Sequence, residues 1–165
     1  MFAADILALA EQVLAACRVR GWRVATAESC TGGLVAAALT AIPGASDVFN
    51  RGFIAYANAA KIELLGVPAE TIAAHGAVSA ASAAAMAKGA VAQAGVDLAV
   101  SVTGIAGPGG GTPHKPLGLI FVGVATKGGD AMVERRVVAG DRTQVREAAL
   151  LLALELLLRA ANTAG

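Results

Sequence analysis

What most limits the fold of this 165-residue chain is the order of its hydrophobic periods. Helix-length and strand-length patterns alternate at the front, a tight hairpin follows, and a long leucine-rich helix comes last. Ile6, Leu7, Leu9, Val13, Leu14 and Cys17 recur at helical spacing, predicting a helix over 3–19 closed by Arg18, Arg20 and Gly21. A strand over 22–27 and a helix over 31–41 follow, the helix stopped by Pro43-Gly44. A second strand is expected at 53–56, and Asn58 can cap a short helix reaching Leu65, which Gly66 ends. Pro68 fits the first turn of another short helix reaching Ala73, and Ser79 suits the cap of an alanine-rich helix over 80–94. Strands are expected over 98–103, 117–126 and 132–138, with Lys127-Gly128-Gly129-Asp130 turning between the last two. Asp141 and Gln144 have capping-box spacing, opening a helix to about residue 161 with 162–165 frayed. The expected fold class is α/β: a single layered α/β/α domain over 1–165 with a mixed sheet flanked by helices.

Composition narrows the partners. Hydrophobic residues make up 56% and charged residues 15%, with a net charge of +1 and dispersed basic residues, which leaves no footprint for nucleic acid. Aromatic residues make up 4%, too few for base-stacking platforms. The apolar excess points to large buried faces and an expected homo-oligomer. Cys17 and Cys30 form neither a metal-type pair nor a disulfide framework. Asp5 and Glu11 interrupt the first apolar stretch, unlike a signal peptide, and 148–154 is too short to span a bilayer. A soluble cytoplasmic protein with no membrane partner is the expectation.

The segment Thr26-Ala27-Glu28-Ser29-Cys30-Thr31-Gly32-Gly33 sits where a strand turns into a helix. Backbone N–H groups and the positive helix end converge at such a turn, so it suits an anion or an oxyanion, and a serine there can be a nucleophile. A plain helix cap by Ser29 or Thr31 fits the same residues. The glycine-rich run from Thr103 and Gly104 through Gly107 to Gly111 leaves the end of a predicted strand, where α/β sheets bind ligands. It matches neither a Walker A loop nor a dinucleotide fingerprint. Tyr56 is the chain's only tyrosine, and Lys61, one turn into the following helix, could serve a serine as base if desolvated. Arg142 and Arg146, one turn apart, could clamp a phosphate or pair with Asp141 and Glu147. His75 and His114 form no triad or metal site.

Taken in order, these segments resemble the CinA C-terminal-domain family, the nicotinamide mononucleotide (NMN) amidohydrolases. The resemblance runs through 26–33, Phe49 with Arg51-Gly52, Tyr56-Ala57-Asn58 with Lys61, and Leu65-Gly66-Val67. It continues through 75–79, 101–108, Lys115-Pro116 with Gly118, and Gly140-Asp141-Arg142. It implies hydrolysis of the NMN carboxamide to nicotinic acid mononucleotide and ammonia; no cofactor is expected, and no cluster of ligating residues calls for a metal. It further implies Ser29 as nucleophile, Lys61 as base and Tyr56 relaying or orienting the proton. Backbone amides near Thr31, Gly32 and Gly33, or in the 103–110 loop, would hold the oxyanion. Thr103, Gly104, Gly107 and Arg142 are the candidates for gripping ribose and phosphate. Gly109 and Pro113-His114 stand where many relatives carry acids, a departure that touches the loop and not the serine–lysine set. The length fits the stand-alone form. The rival chemistry makes Cys30 the nucleophile with Glu28 as its acid–base partner. The rival functions are a non-catalytic nucleotide-binding or competence-associated interaction module, and an amidase for another small amide.

Overall fold

The computed structural model describes residues 1–163. Its order is α1 (Ala4–Arg20), β1 (Val24–Glu28), α2 (Leu34–Thr40), β2 (Phe49–Ile54), α3 (Asn58–Leu65) and α4 (Ala69–His75). α5 (Ala80–Ala94), β3 (Leu98–Gly104), β4 (Leu119–Thr126), β5 (Ala131–Val137) and α6 (Arg142–Thr163) complete it. The last two positions of the expected frayed end, 164 and 165, lie outside the described residues, whereas Asn162 and Thr163 continue α6.

Local chemistry sets several boundaries. Ser79 Oγ accepts from the Ser82 N–H at 3.1 Å and starts α5. Asp141 and Gln144 close a reciprocal capping box, each accepting the other's N–H at 2.9 Å. Asn58, expected as a cap, is instead the first helical residue of α3. Ala57 holds the cap position with no side-chain bond. Pro68 likewise precedes its helix, and α4 extends past Ala73 to His75.

The five strands form one mixed sheet in the order β2-β1-β3-β4-β5, with β2, β1 and β3 parallel and the other pairings antiparallel. Helices α1, α2 and α6 cover one face, around Leu14, Leu39, Val100 and Leu152. Helices α3, α4 and α5 cover the other, around Leu65, Met86 and Ala99. Central β1 is buried along its whole length, which is why it lacks an in–out alternation. Gly89 brings α5 against α3; a Cβ there would collide with the Leu65 carbonyl oxygen.

β2 departs from the expected 53–56 by starting at Phe49. Val24 pairs with Phe49 but Ala25 with Arg51, so Asn50 is an extra residue and the strand changes face there. The exposed edge residues Asn50, Arg51 and Gly52 further mask the period.

Parallel pairing has a direct consequence for function. Glu28 lies beside Ile54 on one side and Val102 on the other, so the carboxyl ends of β1, β2 and β3 share one edge of the sheet. The loops leaving them gather there. No helix among the described residues is long and apolar enough to cross a membrane.

Candidate active site

The segment after β1 folds as a tight turn. The Ser29 N–H donates to the Val102 carbonyl at 2.9 Å, which ties the turn to β3, and the Gly32 N–H returns to the Ser29 carbonyl at 3.1 Å. Gly33 then takes φ +103°, a backbone conformation that a side chain would strain. A Cβ there would also press within 3.2 Å of Ile54.

Glu28 is the cap of α2. One of its carboxylate oxygens accepts from the N–H groups of Gly33 at 3.0 Å and Val35 at 3.1 Å, and the other from Ala36 at 2.9 Å. This corrects two expectations. Glu28 is engaged on the helix and is no acid–base partner for Cys30, and the amide of Gly33 is already spent, as is that of Gly32. The positive end of α2 is therefore met by this chain's own carboxylate. Among the described residues, no carbonyl or carboxylate accepts from the N–H groups of Cys30 and Thr31. The Thr31 hydroxyl is buried without a hydrogen-bond partner.

Lys61 reaches this turn from α3. The residue is 1% exposed, and Nζ lies 3.1 Å from Ser29 Oγ while donating to the Tyr56 carbonyl oxygen at 2.9 Å. None of the carboxylates in ion pairs among the described residues is joined to it. Burial pushes its pKa below the ordinary 10.5, and the nearby Cys30 opposes that shift only in part. Ser29 is 8% exposed, so the pair sits at the floor of the edge.

Tyr56, expected to relay or orient the proton, meets Lys61 through its main chain rather than its phenol. Its backbone carbonyl holds Lys61, whereas its phenol is turned outward and accepts from the Arg142 guanidinium at 3.0 Å. Arg142 also donates to the Gly107 carbonyl at 2.9 Å, and Lys115 Nζ donates to the His75 carbonyl at 2.6 Å. These two cations strap the 105–118 loop to α6 and α4. Thr103 is buried, its hydroxyl donating to the Ala77 carbonyl at 2.9 Å. At Gly104 a Cβ would come within 3.2 Å of Cys30 Sγ and 2.8 Å of Ile120, so this glycine seats the thiol.

Cys30 is buried, and desolvation pushes its thiol up to about 11 despite the lowering pull of its own backbone N–H and of Arg146. A thiol held protonated is a poor nucleophile at neutral pH. Arg146 is engaged with neither Asp141 nor Glu147. Its Nε donates to the Cys30 carbonyl at 3.1 Å and its Nη2 to the Thr31 carbonyl at 3.0 Å. Sequence spacing gave no sign of that contact, which joins residues more than a hundred apart. His75 and His114 are both exposed, and no group of three His, Cys, Asp or Glu among the described residues could hold a metal ion.

The chain is similar to several known proteins along most of its length. A protein of Escherichia coli strain K12 named nicotinamide-nucleotide amidohydrolase PncC is 47% identical over 153 residues, 93% of each chain. One of the same name from Enterobacter agglomerans is 48% identical over 151 residues, 92% of each. A CinA-like protein of Anaeromyxobacter sp. strain K is 54% identical across 90% of this chain, which spans only 36% of that longer protein. The crystal structure of the competence/damage inducible protein CihA from Agrobacterium tumefaciens superposes with a TM-score of 0.94 at 44% identity, covering 99% of both chains. The CinA C-terminal domain model matches residues 6–161, and the chain belongs to the CinA C-terminal domain family.

Proposed function

We propose that this chain is a nicotinamide-nucleotide amidohydrolase that converts NMN to nicotinic acid mononucleotide and ammonia. The observation that carries the reading is the buried Lys61 amine 3.1 Å from Ser29 Oγ. The relatives named as amidohydrolases, matched along nearly their whole length, supply the substrate class.

In the neutral form Lys61 Nζ accepts the Ser29 hydroxyl proton while one of its own N–H groups stays on the Tyr56 carbonyl. That fixed donor contact aims the nitrogen lone pair at Oγ. As Oγ attacks the carboxamide carbon, the carbonyl oxygen takes up negative charge beside the N–H groups of Cys30 and Thr31, neither of which is held by a carbonyl or carboxylate among the described residues. The Lys61 ammonium then gives its proton to the amide nitrogen, the C–N bond breaks, and ammonia leaves an acyl-Ser29 ester. Water attacks that ester with Lys61 again as base, releasing the carboxylic acid and restoring the serine.

Arg142 suits the substrate phosphate, because its exposed guanidinium stands between Tyr56 and the Gly107 carbonyl at the rim. Ile54, Tyr56 and Leu117 leave large apolar surfaces exposed and suit the flat pyridine ring. The test compares ammonia release from NMN, nicotinamide and glutamine by purified protein. Release from NMN alone supports the reading. Release from glutamine or nicotinamide in preference marks an amidase for another amide. Binding of NMN without any release marks a non-catalytic module.

A further inference from the structure

We propose that Arg146 is a positioning residue that aims and polarises the Thr31 amide toward the oxyanion; this rests on the amidohydrolase reading above. In many strand-to-helix turns the helix N-terminus stabilises an anion, but here its N–H groups at Gly33, Val35 and Ala36 are satisfied by the Glu28 carboxylate. A turn so neutralised needs another source of positive potential, and Arg146 is the cation bonded to it.

The two contacts fall on consecutive peptides. In a trans peptide the C=O and the N–H point in opposite directions. The Cys30 carbonyl, held by Arg146 Nε, shares its peptide with the Thr31 N–H, so that N–H is directed away from α6. The Thr31 carbonyl, held by Nη2, shares its peptide with the Gly32 N–H, which is spent on the Ser29 carbonyl. Of the two clamped peptides, only the first keeps an N–H without an acceptor among the described residues. A guanidinium drawing on that carbonyl also makes the attached N–H a stronger donor.

No ion pair among the described residues competes for Arg146, and the side chain is half-buried. It lies 3.7 Å from where a Cβ on Gly32 would stand, so the guanidinium is fitted closely under the turn. Its contacts are with main-chain carbonyls of the Ser29 turn, which separates its part from that of Arg142 at the rim.

The test uses the full chain with Arg146→Met and Arg146→Lys, two readouts, and thermal unfolding to check folding. The first readout is steady-state hydrolysis of NMN. The second is the rate at which a fluorophosphonate labels Ser29, which needs the oxyanion site but not the nucleotide. Arg146→Met is expected to lower kcat by about a hundredfold with KM within about threefold, and to slow labelling similarly. Arg146→Lys should recover part of both rates. A folded Arg146→Met with unchanged kcat and labelling rate overturns the proposal. Should that variant fail to fold, wild-type rates in Arg146→Lys overturn it equally. If the wild-type protein releases no ammonia from NMN, the amidohydrolase reading falls, and the labelling arm alone decides: unequal rates uphold the role of Arg146, and equal rates or no labelling of Ser29 overturn it.

Discussion

Lys61, the base of the proposed mechanism, also carries a stability cost. Its folded-state pKa lies below its ordinary value of 10.5 because the amine is desolvated. The proposed mechanism requires the neutral amine, so kcat/KM for NMN should rise with pH and level off before 10.5, as a pH–rate profile would show. For stability the sign follows from proton binding. Between the lowered folded value and the unfolded value the unfolded chain binds more protons, so stability rises with pH across that window and the full penalty stands below it. Lys61→Met should therefore be inactive yet more stable than the wild type at pH ~7, with the margin shrinking as pH climbs toward the unfolded lysine value. Urea unfolding at pH ~7 and again at pH ~10 checks this, and a margin that grew with pH would contradict it. Cys30 behaves oppositely as a reagent: with its thiol near 11 and buried, it should resist iodoacetamide in the native protein and react once unfolded.

At the scale of elements, the start of α2 depends on Glu28. Replacing it by Gln puts an NH₂ group where an oxygen now accepts backbone N–H groups, leaving at least one of three without an acceptor. Glu28→Gln should cost about 1–3 kcal/mol in denaturant unfolding. This cap was not legible in the sequence. Its carboxylate precedes the first helical residue by six positions, beyond the usual cap spacing, and only the turn through Ser29–Gly33 folds it back. The starts of α5 and α6 were legible because Ser79 and the Asp141–Gln144 pair act within three residues. β2 was misplaced because the extra Asn50 and an exposed edge erase its alternation. The serine and lysine of the candidate site could be named from motif and resemblance. The carbonyl role of Tyr56 and the clamp by Arg146 could not, since main-chain acceptors leave no mark on residue type.

For the whole molecule, the parallel order of β2, β1 and β3 sets three strand ends side by side, and antiparallel β4 and β5 bring their Leu119 and Val137 ends to the same edge, where the 105–118 loop enters and the chain leaves for α6. Arg142 then ties α6, the 105–118 loop and Tyr56 together across it. Arg142→Met should raise KM for NMN about tenfold or more while lowering kcat less, in steady-state assays. The proposed chemistry turns on the Ser29 hydroxyl. Ammonia release from NMN should be retained by the wild type and Cys30→Ala, and lost in Ser29→Ala and Lys61→Met. Release by Ser29→Ala together with an inactive Cys30→Ala would contradict it.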